Sequence, residues 1–224
     1  MGFEMIIRNQ KIIKFRHDKN FNDEDFFISK SNEHIFKLVN SWPKWEKNFL
    51  NIRGERFSGK SHIVNIFLKK NKGVKIKSNS LDNSHLKTIK IHQNIILEDL
   101  DKNIDEKLFF ILLNIIEQDN KYLIVTSNKS IVDINFKLPD LKSRSKNFLL
   151  QKIDKPDDEL MFALILKHLS DRQISLDKRL INYIIKRIDR SYGKIVDFIY
   201  KVDEISLKKK KSIDLKIIKN VLGE

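Results

Sequence analysis

The segment with the clearest chemical meaning is Gly54-Glu55-Arg56-Phe57-Ser58-Gly59-Lys60-Ser61. It matches the phosphate-loop pattern G-x-x-x-x-G-K-[ST] at every fixed position, with a predicted strand before it and a predicted helix after it. Gly54 and Gly59 allow the backbone to curl so that amide groups point at phosphate oxygens, and the helix N-terminus adds positive partial charge. We expect Lys60 to reach the outer phosphates of a nucleotide and Ser61 to supply a hydroxyl to Mg²⁺. Ser58 and His62 are also predicted to bind the nucleotide cofactor.

A second segment, Ile95-Ile96-Leu97-Glu98-Asp99, is an apolar strand that ends in acidic residues. Such a strand beside a phosphate loop delivers a carboxylate to the magnesium ion and its water. Taken alone, the pattern is more typical of a strand end with a solvated turn. Its position about 40 residues after the phosphate loop favours Glu98 and Asp99 as magnesium-binding and catalytic residues.

Two further polar positions fit the same chemistry. The apolar run from Tyr122 ends in Thr126-Ser127-Asn128, where Asn128 is predicted to sense the γ-phosphate or the attacking water. Without this context, a polar strand end is an equally good reading. Leu141-Lys142-Ser143-Arg144 follows, and Arg144 is predicted to act as an arginine finger towards a nucleotide in another subunit. A lone arginine is more commonly a surface charge.

The elements that position these residues alternate between short apolar runs and helical patterns, which is typical of a parallel sheet covered by helices on both faces. The sequence predicts an α/β fold with five parallel strands, at Phe49–Arg53, Gly73–Lys77, Asn94–Glu98, Tyr122–Thr126 and Phe148–Lys152. Ser31 or Asn32 is predicted to cap the helix that precedes the first strand. After Pro156 only helical patterns follow, so we predict a tail over residues 1–24, a nucleotide-binding core over 25–154 and an all-helical lid over 155–224.

Composition limits the possible functions. The chain of 224 residues has no cysteine, which excludes disulfides and thiolate metal sites, and its histidines have no zinc-ligand spacing. No apolar run approaches the ~20 residues of a membrane helix, and the N-terminus does not resemble a signal peptide, so we expect a cytoplasmic protein without membrane contact. The net charge of +14 indicates a nucleic-acid partner, although a lysine-, isoleucine- and asparagine-rich composition typical of an AT-rich genome accounts for part of it.

Taken together, these motifs resemble the AAA+ family of the replication initiator DnaA and its relatives. The segment from Phe26 to Asn32 resembles the one that opens the initiator's ATPase domain and lines the adenine pocket, which implies a role for Phe27 and Ile28. Trp42-Pro43-Lys44-Trp45 also occurs in one branch of relatives. The Hda-type branch, the regulatory homologues that inactivate DnaA, is favoured because we expect the chain to start at the AAA+ module and to stop after the lid.

The resemblance implies a mechanism. Hda-type proteins bind ADP or ATP with Mg²⁺, act with the DNA-loaded sliding clamp and present an arginine to ATP held by DnaA, a role that falls to Arg144 here. Gln10, Ile13 and Phe15 would be the clamp-binding segment, with Lys11 and Lys14 as departures from it. DNA would then be reached through the clamp, and a homodimer is possible. The sensor arginine of the family's lid aligns with Gly193, with Lys194 next to it, and lysine cannot form a bidentate phosphate clamp.

Three hypotheses remain open at the level of sequence. The first is an Hda-type regulator that stimulates the ATPase of a partner. The second is a DNA-dependent ATPase of the helicase-loader type, which would carry a helicase-binding tail. The third is a minimal DNA binder that uses the charges of core and lid, and whose affinity would depend strongly on salt.

Overall fold

The computed structural model describes residues 26–101, 103–209 and 212–224. Within these ranges, strands and helices alternate up to residue 152, and only helices follow. The strands are Phe49–Arg53 (β1), Gly73–Lys77 (β2), Asn94–Leu100 (β3), Tyr122–Ser127 (β4) and Leu149–Lys152 (β5). The helices are Glu33–Asn40 (α1), Lys60–Lys70 (α2), His85–Ile91 (α3), Glu106–Gln118 (α4), Pro139–Ser145 (α5), Asp158–Ser170 (α6), Lys178–Ile185 (α7), Tyr192–Lys209 (α8) and Leu215–Leu222 (α9).

The five strands form one parallel sheet in the order β2-β3-β4-β1-β5. This confirms the predicted fold class. Because β1 lies between β4 and β5, the loop that leaves its carboxyl end emerges beside the ends of both neighbours. The carboxyl ends of β1, β3 and β4 therefore gather the polar residues that the sequence places there.

Alternating residues of the central strands supply two hydrophobic clusters, one on each face of the sheet. In β3, Ile95 and Leu97 pack on the face covered by α4, whereas Ile96 packs on the face covered by α2. Both faces are apolar because helices cover both, which is why the central strands β3 and β4 contain continuous apolar runs. The core thus holds the phosphate loop between a rigid strand and the helix that follows it.

A third hydrophobic cluster belongs to the last four helices, α6 to α9, with Met161, Ile165, Ile195 and Ile218 among its buried members. Asp157 caps α6 with its side chain, which accepts a hydrogen bond from Leu160 N at 2.8 Å. We propose residues 155–224 as the lid domain on the basis of this separate cluster.

The segment before α1 corrects one prediction. Asn32 occupies the N-cap position of α1, but neither its side chain nor that of Ser31 caps the helix. Asn32 instead accepts from Ser29 N and donates to the carbonyl of Phe27, while the Ser31 hydroxyl donates to Asp157 at 3.0 Å. These residues connect the entry segment to the start of the lid rather than stabilising α1.

Across the described ranges, no helix combines the length and apolarity that a membrane crossing requires.

Candidate functional site: the phosphate loop and its neighbours

The backbone of the phosphate loop is held in the conformation that its glycines predict. Gly59 directly precedes α2 and has a φ of +91°, in the left-handed region that favours glycine. Gly54 N donates to the carbonyl of Ser127 at 3.1 Å, which ties the loop to the end of β4. A Cβ on Gly54 would lie 2.7 Å from Ser58 Oγ and 3.2 Å from Ile153 Cβ, so the loop packs too closely for a larger residue.

Lys60 is buried at the start of α2, with 7% of its surface exposed. Its Nζ donates to the carbonyls of Gly54 at 2.7 Å and Glu55 at 2.9 Å, and to Asn128 Oδ1 at 3.2 Å. Burial lowers the pKa of Lys60 from its ordinary value, and the negative charges of Asp99 and Glu55 offset part of that effect. A phosphate group in the loop would supply the strong anionic partner that this ammonium lacks.

The two acidic residues at the end of β3 lie in different environments. Glu98 is 5% exposed, with Oε2 at 3.6 Å from Lys75 Nζ, while its Oε1 is buried and has no hydrogen-bond partner. Asp99 is exposed and has a φ of +57°, and its amide donates to Thr126 Oγ1 at 3.1 Å. The negative charge of Asp99 raises the pKa of Lys60 and so offsets part of the effect of burial. A buried carboxylate oxygen without a partner is the kind of group that a cation or its bound water satisfies.

The end of β4 is fixed by a residue that the sequence analysis did not identify. Asn51, in β1, is fully buried, and its Nδ2 donates to the carbonyl of Val125 at 3.1 Å and to Ser127 Oγ at 2.9 Å. Its Oδ1 accepts from the amide of Ile131 at 2.9 Å. These bonds hold the turn that carries Asn128. A polar residue inside an otherwise apolar strand was the signal in the sequence.

The remaining predicted nucleotide-binding residues of the core lie around α2. Ser61 and His62 occupy its first turn and are partly buried. The ring of Phe26 packs edge-on against His62, with 5.2 Å between the ring centroids, and it also lies close to Gly59. The predicted pocket residues Phe27 and Ile28 follow Phe26 and are 45% and 42% exposed.

The lid reaches the phosphate loop at the N-terminus of α8. The carboxylate of Glu55 accepts from the hydroxyl of Ser191, from Tyr192 N at 3.2 Å and from Gly193 N at 3.1 Å. Lys194, the predicted lid contact, is exposed on the same turn of α8. Of the two lid positions named from the sequence, Gly193 contacts the loop through the carboxylate of Glu55.

Arg144 lies apart from these residues. Its Nη1 donates to Glu117 Oε2 at 2.9 Å, and its guanidinium carbon lies 5.0 Å from the centre of the Phe110 ring. Both partners belong to α4, and Glu117 lies in its last turn, ahead of the start of β4. The phosphate loop follows the opposite, carboxyl end of β1. The predicted clamp-binding residues Gln10, Ile13 and Phe15 lie outside the described residues.

Comparison with known proteins finds a family model that matches the lid and a relative that aligns with most of the chain. Residues 157–222 match the family model described as "Hda, lid domain". The chain is also 24% identical over 234 residues to the chromosomal replication initiator protein DnaA of Buchnera aphidicola subsp. Cinara cedri. That alignment covers 92% of this chain but 53% of the initiator, so the chain spans about half the length of that relative.

Two solved structures share the fold. Domain III of the Thermotoga maritima replication initiation protein DnaA superposes with a TM-score of 0.72 at 17% identity, covering 93% of this chain and 98% of that domain. AMPPCP-bound DnaA from Aquifex aeolicus superposes with a TM-score of 0.62 at 20% identity, covering 83% of this chain and 64% of that one. At 17% and 20% identity, these superpositions show that the chains share a fold.

The parallel sheet in the order β2-β3-β4-β1-β5, the phosphate loop after β1 and the helical lid define an AAA+ protein. The lid of this fold matches the Hda lid model over residues 157–222, and the chain as a whole is similar to the replication initiator DnaA.

Proposed function

We propose that this chain binds ADP or ATP and promotes hydrolysis of ATP held by a DnaA-type initiator. The observation that carries the proposal is the separation of the two predicted sites. The phosphate loop has its own lysine, Lys60, and its own acidic residues, whereas Arg144 contacts α4 and none of them. An arginine directed away from its own nucleotide site is available to a nucleotide in another subunit.

The residues of the loop fit a magnesium nucleotide. Lys60 and the loop amides would hold the phosphates, and Ser61, Glu98 and Asp99 would hold Mg²⁺ and its waters. The unpartnered Oε1 of Glu98 supports this assignment. Bound Mg²⁺ would neutralise phosphate charge and keep several of its waters, so it needs few protein ligands. Among the residues that the structure describes, no group of three His, Cys, Asp or Glu could hold a metal alone.

The nucleotide would be enclosed from three sides. Phe27, Ile28 and His62 would contact the base, Asn128 would orient water or the γ-phosphate beside Lys60, and Lys194 would approach from the lid. The Aquifex aeolicus neighbour binds AMPPCP, which supports a nucleotide at the same place in this fold. Because the lid offers Lys194 rather than an arginine, we expect hydrolysis by this chain alone to be slow.

Clamp binding is proposed for the tail, residues 1–24. Gln10, Ile13 and Phe15 would bind the sliding clamp, with the glutamine hydrogen-bonded and the two apolar side chains in a pocket. The clamp on DNA would then bring this chain next to the initiator, and DNA would be reached through the clamp. A homodimer would present Arg144 to a second copy of the chain.

The test is hydrolysis of labelled ATP preloaded on a DnaA protein, with DNA-loaded clamp, with and without this chain. We expect stimulation that is lost in Arg144→Ala and retained in Lys142→Ala, a charge deletion on the same helix. If DnaA is not stimulated while this chain alone hydrolyses ATP on DNA, the regulator is excluded and a helicase-loader type of ATPase takes its place.

A further inference from the structure

A carboxylate of the phosphate loop occupies the N-terminus of a lid helix. The Glu55 carboxylate accepts three hydrogen bonds, from the hydroxyl of Ser191 and from the amides of Tyr192 and Gly193. These partners lie 136 to 138 residues further along the chain. The contact therefore joins the loop to the lid and belongs to neither alone.

The chemistry of a helix end explains why a carboxylate fits there. The first amide groups of a helix have no partner within it, and the helix dipole favours a negative charge at this end. Such groups are usually satisfied by a side chain next to them in sequence, as Asp157 does for α6. In α8, Ser191 Oγ accepts from Lys194 N at 3.3 Å, and Glu55 provides the charged acceptor.

Two neighbouring residues adapt the lid to this contact. Tyr192, the first residue of α8, is 3% exposed and packs in the core cluster on the α2 face, and its hydroxyl donates to the carbonyl of Asp154 at 3.0 Å. A Cβ on Gly193 would lie 3.1 Å from Glu55 Oε1. Gly193 does not have a left-handed backbone, so its missing side chain serves the close approach of the carboxylate.

We propose that Glu55 is a latch that holds the lid on the phosphate loop, and that it slows nucleotide release once the loop is occupied. Glu55 acts as a positioning residue, because it contacts the lid helix through its side chain and Lys60 through its carbonyl. The second half of the proposal rests on the nucleotide site proposed above, whereas the first half does not.

Hydrogen exchange of the nucleotide-free full chain tests the first half. In Glu55→Ala we expect the amides of Tyr192 and Gly193 to exchange about five- to tenfold faster, as expected on loss of a helix cap, while α4 keeps its exchange rate. Glu55→Gln keeps an acceptor and loses the charge, so it should lie between Glu55→Ala and the unaltered chain. The matched control is Glu46→Gln, an exposed acid at the other end of β1, which should change nothing. Unchanged exchange at α8 in Glu55→Ala would overturn the latch.

A double-mutant cycle with Ser191→Ala provides a second test that does not depend on one variant. If the two side chains act together, Ser191→Ala should speed exchange of α8 less in the Glu55→Ala background than in the unaltered chain. Equal effects in both backgrounds would mean that the two residues act independently, which would contradict the latch.

Release of fluorescently labelled ADP tests the second half. Loss of the latch should raise the dissociation rate constant about five- to tenfold, whereas Glu46→Gln should leave it unchanged. An unchanged dissociation rate would remove the link between latch and nucleotide. If the unaltered chain binds no ADP, both the proposed function and the proposed slowing of nucleotide release are wrong. The hydrogen-exchange experiment would still decide whether Glu55 holds the lid.

Discussion

The phosphate loop and the surface around Arg144 hold their charged groups in opposite ways. At the loop, Lys60 is buried and bonded to backbone carbonyls, and Glu98 retains a buried oxygen without a partner. At the other site, Arg144 forms a salt bridge with Glu117 in which the two side chains are 26% and 42% exposed.

Under the proposed function, this difference would separate a nucleotide site from a side chain that is released to a partner. The buried charge of Lys60 is poorly screened by water and would interact strongly with an incoming phosphate. An exposed salt bridge contributes only about 0–1 kcal/mol, so Arg144 leaves Glu117 at little cost. The loop should therefore be sensitive to any substitution, whereas the Arg144 surface should be sensitive only to loss of the arginine.

The largest effect is expected for Arg144→Lys. Lysine keeps the charge but cannot form the bidentate contact of a guanidinium, so stimulation of DnaA should fall by about 10³-fold, close to the effect of removing a finger altogether. The measurement is single-turnover hydrolysis of ATP preloaded on DnaA. Near-normal stimulation by the lysine variant would show that Arg144 acts only through its charge.

Lys60→Ala should weaken ADP binding about 10- to 100-fold, since hydrogen bonds to a charged group contribute about 1.5–3 kcal/mol. Isothermal titration calorimetry with Mg-ADP measures the change. Lys69→Ala at the far end of α2 is the control for loss of a lysine charge on the same helix. Equal affinity of the Lys60 and Lys69 variants would place the phosphates elsewhere.

Gly54→Ala should disturb the loop through its packing. The added methyl group would lie 2.7 Å from Ser58 Oγ and 3.2 Å from Ile153 Cβ. We expect the free energy of unfolding to fall by about 1–3 kcal/mol and ADP affinity to fall with it. Chemical denaturation and calorimetry check both. Gly223→Ala would not be a suitable control, because Gly223 has a φ of +84° that favours glycine. The control is instead the double variant Gly54→Ala with Ser58→Ala, which removes the crowding Ser58 oxygen and should restore part of the lost stability.

The pKa of Lys60 predicts a pH dependence of nucleotide binding. Burial lowers this pKa in the free protein, and bound phosphates would raise it, so binding is accompanied by proton uptake. ADP affinity should therefore fall as pH rises through the lowered pKa, starting at a lower pH than an ordinary lysine with a pKa of 10.5 would require. In Lys60→Arg the charge persists and the decline should disappear. A decline of the same size in Lys60→Arg would assign it to another group.

The smallest effect is expected for Glu117→Gln. Removal of this carboxylate frees Arg144 from an exposed salt bridge, so the free energy of unfolding should change by less than about 1 kcal/mol. Stimulation of DnaA should stay the same or rise about twofold, because the arginine no longer has to leave a partner. A severe loss of stimulation would mean that Glu117 orients Arg144 towards the ATP held by DnaA. The surface around Arg144 would then depend on fixed contacts, as the phosphate loop does.

The sequence was sufficient for the fold because its signals are local and periodic. The strand predicted at Phe49–Arg53 has these bounds in the structure, and the one predicted from Phe148 begins one residue later, at Leu149. The phosphate loop was also recognisable, because its fixed positions are contiguous. Helix α3 was not predicted, since it has seven residues and only Ile89 is fully buried, which gives too short a pattern for helical periodicity.

The parts of the site that were not predicted from the sequence depend on long-range contacts. Asn51 holds the turn after β4 from a strand more than seventy residues earlier, and Glu55 reaches the lid from the phosphate loop. Residue type marks Asn51 as a polar position in an apolar strand, but the partners of Asn51 and Glu55 do not follow from spacing along the chain. The local capping prediction for Ser31 and Asn32 was wrong for the same reason, because the Ser31 hydroxyl bonds instead to Asp157 at the start of the lid.

The most direct test of the central claim asks which protein holds the ATP that is hydrolysed. Labelled ATP would be preloaded on DnaA, and this chain would be added with DNA-loaded clamp as the unaltered protein, as Arg144→Ala and as Lys142→Ala. The account predicts rapid hydrolysis of the DnaA-bound label with the unaltered chain and with Lys142→Ala, and the basal rate with Arg144→Ala. Equal hydrolysis with Arg144→Ala, or hydrolysis by this chain without DnaA at the same rate, would contradict it.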